Sequence, residues 1–543
     1  MPRLAAIWML FTQGALMGTQ LLLLPIQVRL WGMEGTAQWN AALALATLLH
    51  AADLGLKAFG HSSIGPRAAA GAGHEAESFP SVWAVLRLLV AGFAMLALAA
   101  TWVFHREGSV PAWLCWLVVA CSAECLLNSR VTYMDSLGLM ALAEGCYALI
   151  LCSRLAAATV GLLAFRASPE ALAIIYAASA VGGLAVQSLA LRSHPELGLA
   201  AGGFRAIEPR TFALLKYAVG YPIAAWCRLS LPVLVLSAAA PAAMVNAYVA
   251  LRAVFGFARV AVQQASRHAS VQYARASALP DGRAGPQLQF WCIVCVILGT
   301  AFALGVVLDG GVLLSKWVPG TSSKGYGWVA LTFALAAPFF ANQLMLMVAM
   351  RTGREARAAG LQVLYAGLAV AAAAVGLLSA SMPVYLSSWL LCELAFSGMV
   401  LAATREQGLA RTYVGWTAVG VLAVLGCFLA LRWVPGFRGA QLHDLAVRAA
   451  VYLLLLALMS IALGRSLRLP AWKWAARTGH SRGRRGSIRH RLGRAPDGER
   501  GPAAPVLAGA PAGGAAAGPA EVQSGRYLDE DGIVVIGVPR GRP

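Results

Sequence analysis

The sequence predicts an all-α polytopic membrane protein of about fourteen transmembrane helices, two six-helix lobes plus two extra helices. Three observations lead there. The 543 residues are 59% hydrophobic and 12% charged, about half the ~25% charged share of soluble chains, and the mean hydropathy is +0.68. The apolar residues gather in runs close to the ~20 residues that cross a bilayer core. Between these runs the longest connections lie near 57–79, 192–210, 269–286 and 310–326, too short to fold as separate catalytic domains. Collagen, coiled coil, disorder and a disulfide-knit module are excluded by the same composition. Any chemistry must therefore occur inside the bundle or at its mouths, and an enzyme is not expected.

In order, the expected spans are 4–28, 37–56, 80–104, 111–129, 138–165, 170–191, 211–238, 243–268, 287–309, 327–350, 356–379, 382–403, 411–432 and 446–464. The first opens like a signal peptide, but its apolar run continues to Pro25 and Arg29 with no small-residue cleavage region, which reads as a retained helix. Pro232 and Pro241 blur the boundary between the seventh and eighth. The predicted organisation is a lobe at 1–192, a second at 193–404, two further spans in 405–464 and a tail at 465–543.

That tail is basic, with 14 Lys/Arg against 6 Asp/Glu, and nearly all Ala, Gly and Pro from 495 to 525, a composition expected to stay disordered. The chain carries +20 overall. Such charge beside spans marks cytoplasmic loops and anionic lipid rather than nucleic acid, which is not expected as a partner. With the N-terminus inside, the inner loops hold fifteen Lys/Arg and the outer loops seven, so both termini are expected in the cytoplasm. All ten cysteines lie in apolar runs. Even the Cys292-x-x-Cys295 pair reads as small apolar filler, so no metal or cofactor is expected.

An internal repeat accompanies the spans. Pro25 and Asn40-Ala41 are matched by Pro232 and Asn246-Ala247, an offset of 206 or 207 residues, and Gly138 and Gly145 by Gly353 and Gly360. An offset of six helices preserves orientation, so the halves would be parallel repeats about the membrane normal.

Ionisable side chains within spans are costly, about 2.5–3.5 kcal/mol on insertion scales, and usually face a partner or cavity. Those present are Asp53, Arg87, Glu124, Glu144, Arg154, Lys216, Arg228, Arg252, Arg259 and Glu393. Lys216 is expected to snorkel. In the eighth span Tyr248, Arg252, Arg259 and Gln263 recur on one helical face, as do Glu144, Tyr147 and Arg154 in the fifth, while Gln13 and Gln20 lie seven apart in the first. Structural ion pairs would account for part of this set. Deep arginines outnumber deep acids, however, and an anionic, hydrated guest would use the surplus. Guanidinium matches phosphate oxygens, and Tyr and Gln offer the hydrogen bonds a sugar takes. The expected binding residues are Arg87, Arg154, Arg228, Arg252, Arg259, Tyr248, Gln13 and Gln20, with Asp53, Glu124, Glu144 and Glu393 as coupling or ion-pair acids.

Pro25-Ile26, Trp31-Gly32-Met33-Glu34-Gly35, Trp39 and Asp53-Leu54-Gly55-Leu56 resemble the opening of the polysaccharide-biosynthesis flippases (O-antigen-type), within the multidrug/oligosaccharidyl-lipid/polysaccharide exporter superfamily. The stretches Pro232 to Gln264 and Gly310 to Gly353 are also similar to that family. The resemblance covers roughly residues 1–430 in pattern and the first sixty at the level of motifs. It implies a multi-pass transporter of the bacterial inner membrane with two six-helix lobes around a central cavity. By alternating access it would move undecaprenyl-pyrophosphate-linked glycan to the periplasmic leaflet, among membrane lipids and beside glycan polymerase or export machinery. The lipid II flippase branch carries an arginine in the first helix, and here the span 4–28 has none. The competing expectations are a cation-coupled multidrug antiporter, which wants deep carboxylates, and a membrane glycan polymerase or ligase, which wants a large outer loop.

Overall fold

The computed structural model describes residues 2–53, 79–136, 140–192, 220–277, 284–318, 323–351, 354–404, 410–433, 526–528 and 534–536. Up to residue 433 these are almost entirely helical, as a chain in lipid must be to satisfy its own backbone hydrogen bonds. Helix α1 (Pro2–Ala46) covers the first expected span and the first half of the second, and breaks at Gly32, whose φ of 71° suits glycine alone. A 3-10 turn (Thr47–Asp53) extends it. Then follow α2 (Phe79–Arg106), α3 (Leu114–Ser136), α4 (Met140–Phe165) and α5 (Pro169–Arg192).

Helices α6 (Gly220–Leu229) and α7 (Leu231–Ala239) make one span broken at Ser230, because Pro232 cannot continue the hydrogen-bond ladder. After α8 (Ala242–Ser277) and α9 (Ala284–Trp317), a second broken span runs through α10 (Ser323–Ala336), a 3-10 turn (Ala337–Ala341) around Pro338, and α11 (Asn342–Arg351). Helices α12 (Glu355–Ser379), α13 (Met382–Thr404) and α14 (Ala410–Trp433) complete the bundle.

Among the described residues, eleven segments from Leu86–Arg106 to Thr412–Leu429 are long and apolar enough to cross a membrane, at the places expected for spans three to thirteen. The expected span 446–464, the segment around Lys216 and the tail from 495 to 525 lie outside the described residues. In the chain's second compact unit, β1 (Arg526–Leu528) pairs antiparallel with β2 (Val534–Ile536), Tyr527 opposite Val535, a short hairpin the sequence reading did not anticipate.

Packing orders the bundle. Helix α1 lies along α4 and α8, α3 against α5, α8 against α9, α9 against α14 and α12 against α13. One buried cluster draws on residues 23–177, among them Trp39, Leu117, Leu162 and Leu172. A second draws on 224–413, including Tyr365, Phe396 and Tyr413. A third joins Leu24, Val28 and Ala44 of α1 to Val233, Tyr248, Phe333 and Trp389. Large apolar side chains such as Leu163, Phe165, Leu378 and Leu422 point outward, as lipid-facing residues do.

Indole N–H groups close backbone gaps at long range. Trp31 Nε1 donates to the Ala167 carbonyl at 2.9 Å, Trp226 Nε1 to Ala44 at 3.0 Å and Trp317 Nε1 to Leu21 at 2.9 Å. The two asparagines of the sequence repeat meet: Asn40 Nδ2 donates to Asn246 Oδ1 at 3.4 Å, and Asn246 Nδ2 donates to the Met33 carbonyl at 2.8 Å.

Candidate functional site

The two broken spans open a cavity beside α8. At Ser230 the helix stops, which frees the Leu229 carbonyl, and Arg252 Nη1 donates to it. Around Pro338 the 3-10 turn brings Phe339 and Phe340 to the lining, and the start of α11 brings Asn342 and Gln343. The lining also includes Arg228 from α6, Tyr248, Arg252, Gly256 and Arg259 from α8, Phe333 from α10, and Trp389 and Glu393 from α13. Spacing of four and seven residues along α8 keeps Tyr248, Arg252 and Arg259 on one face. The enclosed space is about 70 Å³, room for a small anion or a few waters in this conformation.

The charges in this wall are unequal. Arg228 is matched: its Nε donates to Glu393 Oε1 at 3.0 Å and its Nη2 to Glu393 Oε2 at 3.2 Å. Tyr365 OH donates to the same carboxylate at 2.6 Å, and the Arg228 guanidinium stacks 4.1 Å from the Tyr365 ring centroid and 5.2 Å from that of Phe396. Among the described residues, no carboxylate lies within ion-pair distance of Arg252 or Arg259. Three guanidinium groups and one carboxylate leave a formal charge of +2 on the cavity. The indole Nε1 of Trp389, a donor only, has no hydrogen-bond partner among the described residues. This wall suits an acceptor-rich anion. Asn342 is held by its neighbours, donating to Ser397 Oγ at 2.7 Å and accepting from Tyr413 OH at 2.6 Å.

Arg154 lies elsewhere. It is buried in the first half, at 6% exposure, where it pairs with Glu124 and donates through Nε to Ser179 Oγ at 2.8 Å. Its guanidinium rests 5.0 Å from the Tyr176 ring centroid. Arg154 and Arg228 are thus paired with acids in place, while among the described residues Arg252 and Arg259 have no carboxylate within ion-pair distance. Glu144 accepts from Thr12 Oγ1 at 3.3 Å, fixing α4 to α1.

Gln20 of α1 stands beside Gly256 of α8, its Oε1 3.8 Å from where a Cβ on that glycine would be, but it does not line the cavity. Gln13 is half-buried on α1 and Arg87 is exposed on α2; neither lines the cavity. Asp53 ends the 3-10 turn, and its side chain lies outside the described residues. Tyr365, Trp389 and Asn342 were not anticipated. Each sits in an apolar run where only three-dimensional convergence marks it out.

No family model matches the chain, and no curated protein matches it by sequence. Its fold is similar to that of the lipid II flippase MurJ in an inward closed conformation, with a TM-score of 0.56 and 10% identity over 86% of this chain and 100% of that one. The Vibrio cholerae MATE transporter VcmN in its bent form aligns over 76% of this chain and 99% of its own, with a TM-score of 0.47 and 11% identity.

Proposed function

We propose that this protein is a membrane transporter that flips a lipid-linked pyrophosphoryl oligosaccharide or polysaccharide precursor across the bacterial inner membrane by alternating access. One observation carries the reading: the cavity between the two broken spans holds Arg252 and Arg259, which among the described residues have no partner carboxylate, beside a Trp389 donor that has no partner among them either. Guanidinium is suited to phosphate, and fixed cationic groups inside a span attract a cargo that brings the opposite charge. The likeness of fold to a lipid flippase supports it. At about 70 Å³ the space is too small for a glycan, so the proposed cycle requires the bundle to open on each side in turn. Two six-helix lobes, 1–192 and 193–404, would supply that motion, and the Asn40–Asn246 contact between repeat-related positions supports such an axis. Both termini would then be cytoplasmic, with 405–464 adding two further spans.

An antiporter of drugs is the weaker reading, because the buried carboxylates Glu124 and Glu393 are both held by arginine. The test is transfer of a fluorescent polyprenyl-pyrophosphate oligosaccharide between leaflets of proteoliposomes. Arg252→Ala and Arg259→Ala should each weaken binding about tenfold or more, the worth of a lost charge-assisted contact, and Arg252→Lys should rescue only in part. Transfer at the wild-type rate by the Arg252→Ala/Arg259→Ala protein would refute the assignment.

A further inference from the structure

A second cluster, remote from the arginine cavity in sequence and unused by the proposed transport site, lies where the second span meets the fourth. The 3-10 turn presents His50, and α3 presents Cys121 and Glu124, three residues apart on one helical face. One ligand atom from each, an imidazole nitrogen, the thiol sulfur and a carboxylate oxygen, lies within 4.8 Å of the other two.

Their bonding is incomplete. His50 Nε2 is buried and has no hydrogen-bond partner among the described residues. It stands 3.5 Å from Glu124 Oε2, beyond the usual range for an N–H···O bond. Cys121 is 2% exposed and its thiol is free. Glu124 Oε1 is occupied by Arg154, so Oε2 is the oxygen left facing the histidine.

A tetrahedral ion held at about 2.0–2.3 Å sets its ligand atoms roughly 3.3–3.7 Å apart. The His50–Glu124 separation of 3.5 Å falls in that interval. It suits two atoms bridged by an ion better than two atoms bonded to each other. We propose that His50, Cys121 and Glu124 form a three-ligand site for a borderline-soft divalent cation of the zinc class, with the fourth position open to water.

Nitrogen, sulfur and oxygen donors together select such an ion over magnesium or calcium, which take all-oxygen shells. Thiolate and carboxylate supply two negative charges against the ion's two. Arg154 then serves as the outer partner that orients Glu124, and its own charge weakens binding without blocking it. Occupancy would pin the end of the second span to the fourth. Of the three ligands His50 has the most exposed side chain, at 36%.

The full-length protein, stripped with chelator, is titrated with Co²⁺ and then challenged with Zn²⁺. One equivalent should bind and show a thiolate-to-cobalt charge-transfer band that Zn²⁺ abolishes and excess Mg²⁺ leaves intact. His50→Ala should weaken cobalt binding at least tenfold, since disturbing even an outer partner costs about that much. Cys121→Ser should remove the band, while Cys292→Ser/Cys295→Ser should keep it. Absence of stoichiometric binding to the wild-type chain, a band that survives Cys121→Ser, or one that disappears with the Cys292/Cys295 pair would each overturn the proposal. The wild-type titration decides the matter even if a variant misfolds, and it is independent of whether Arg252 and Arg259 bind a pyrophosphate.

Discussion

Replacing Glu393 by glutamine should test whether Arg228 is held as a structural cation or kept available for cargo. The substitution preserves shape but removes the charge that receives Arg228 Nε at 3.0 Å, Arg228 Nη2 at 3.2 Å and Tyr365 OH at 2.6 Å. Glu393 is 6% exposed, so water cannot replace what is lost. Breaking a buried pair by neutralising one partner costs about 3–5 kcal/mol. The Arg228 side chain is 20% exposed toward the cavity, which places the expectation near the lower end, about 3 kcal/mol. That is a large part of the ~5–15 kcal/mol by which domains are usually stable. Thermal unfolding in detergent, followed by tryptophan fluorescence and by recovery of monodisperse protein, should show Glu393→Gln melting several degrees below wild type. The double change Arg228→Met/Glu393→Leu should restore most of the loss, because apolar residues of similar volume can replace a buried pair. An unshifted melt for Glu393→Gln, or a double variant no better than the single one, would refute the reasoning. Arg228 would then count with Arg252 and Arg259 as charge offered to a guest.

Two further outcomes follow from the packing and from the charge bias. Gly299→Ala should destabilise the bundle, since its Cβ would clash with the Ala337 carbonyl oxygen and stand 3.0 Å from its carbon; backbone must shift to admit it, and an overpacked core typically loses about 1–3 kcal/mol, read as a lowered melting temperature. Cysteines introduced at 319–322 should react with an impermeant thiol reagent from outside the cell and those at 278–283 only after permeabilisation, and the reverse pattern would invert the proposed orientation.

The spans were legible because hydrophobicity accumulates over twenty residues, and no single substitution hides it. Both breaks carried their cause in the sequence, Pro232 after Ser230 and Pro338 at the 3-10 turn. The face shared by Tyr248, Arg252 and Arg259 was legible for the same reason that any helical stripe is. What that face looks at was not. Periodicity relates residues on one helix and is silent about which helix lies opposite, so the pairing of Arg154 with Glu124 and of Arg228 with Glu393 came only from tertiary packing. Tyr365 looked like one more aromatic in an apolar run. Cys121 looked like a filler, and only the approach of His50 from another element gives it a chemical neighbourhood.

The contact between Asn40 and Asn246 has a consequence for how such a repeat can be built. A side chain that meets its own counterpart across an axis must be able to bond to itself. Lysine or aspartate at that place would confront a like charge, and leucine would forgo any directional bond. An amide carries donor and acceptor together and so can bond to its copy; here the bond runs one way, with Asn40 donating and Asn246 accepting. Asn246, having accepted, spends its own donor on Met33. The contact is therefore directional: the Asn246 amide links Asn40 to the Met33 carbonyl, and a substitution at either asparagine removes a bond that the other amide uses.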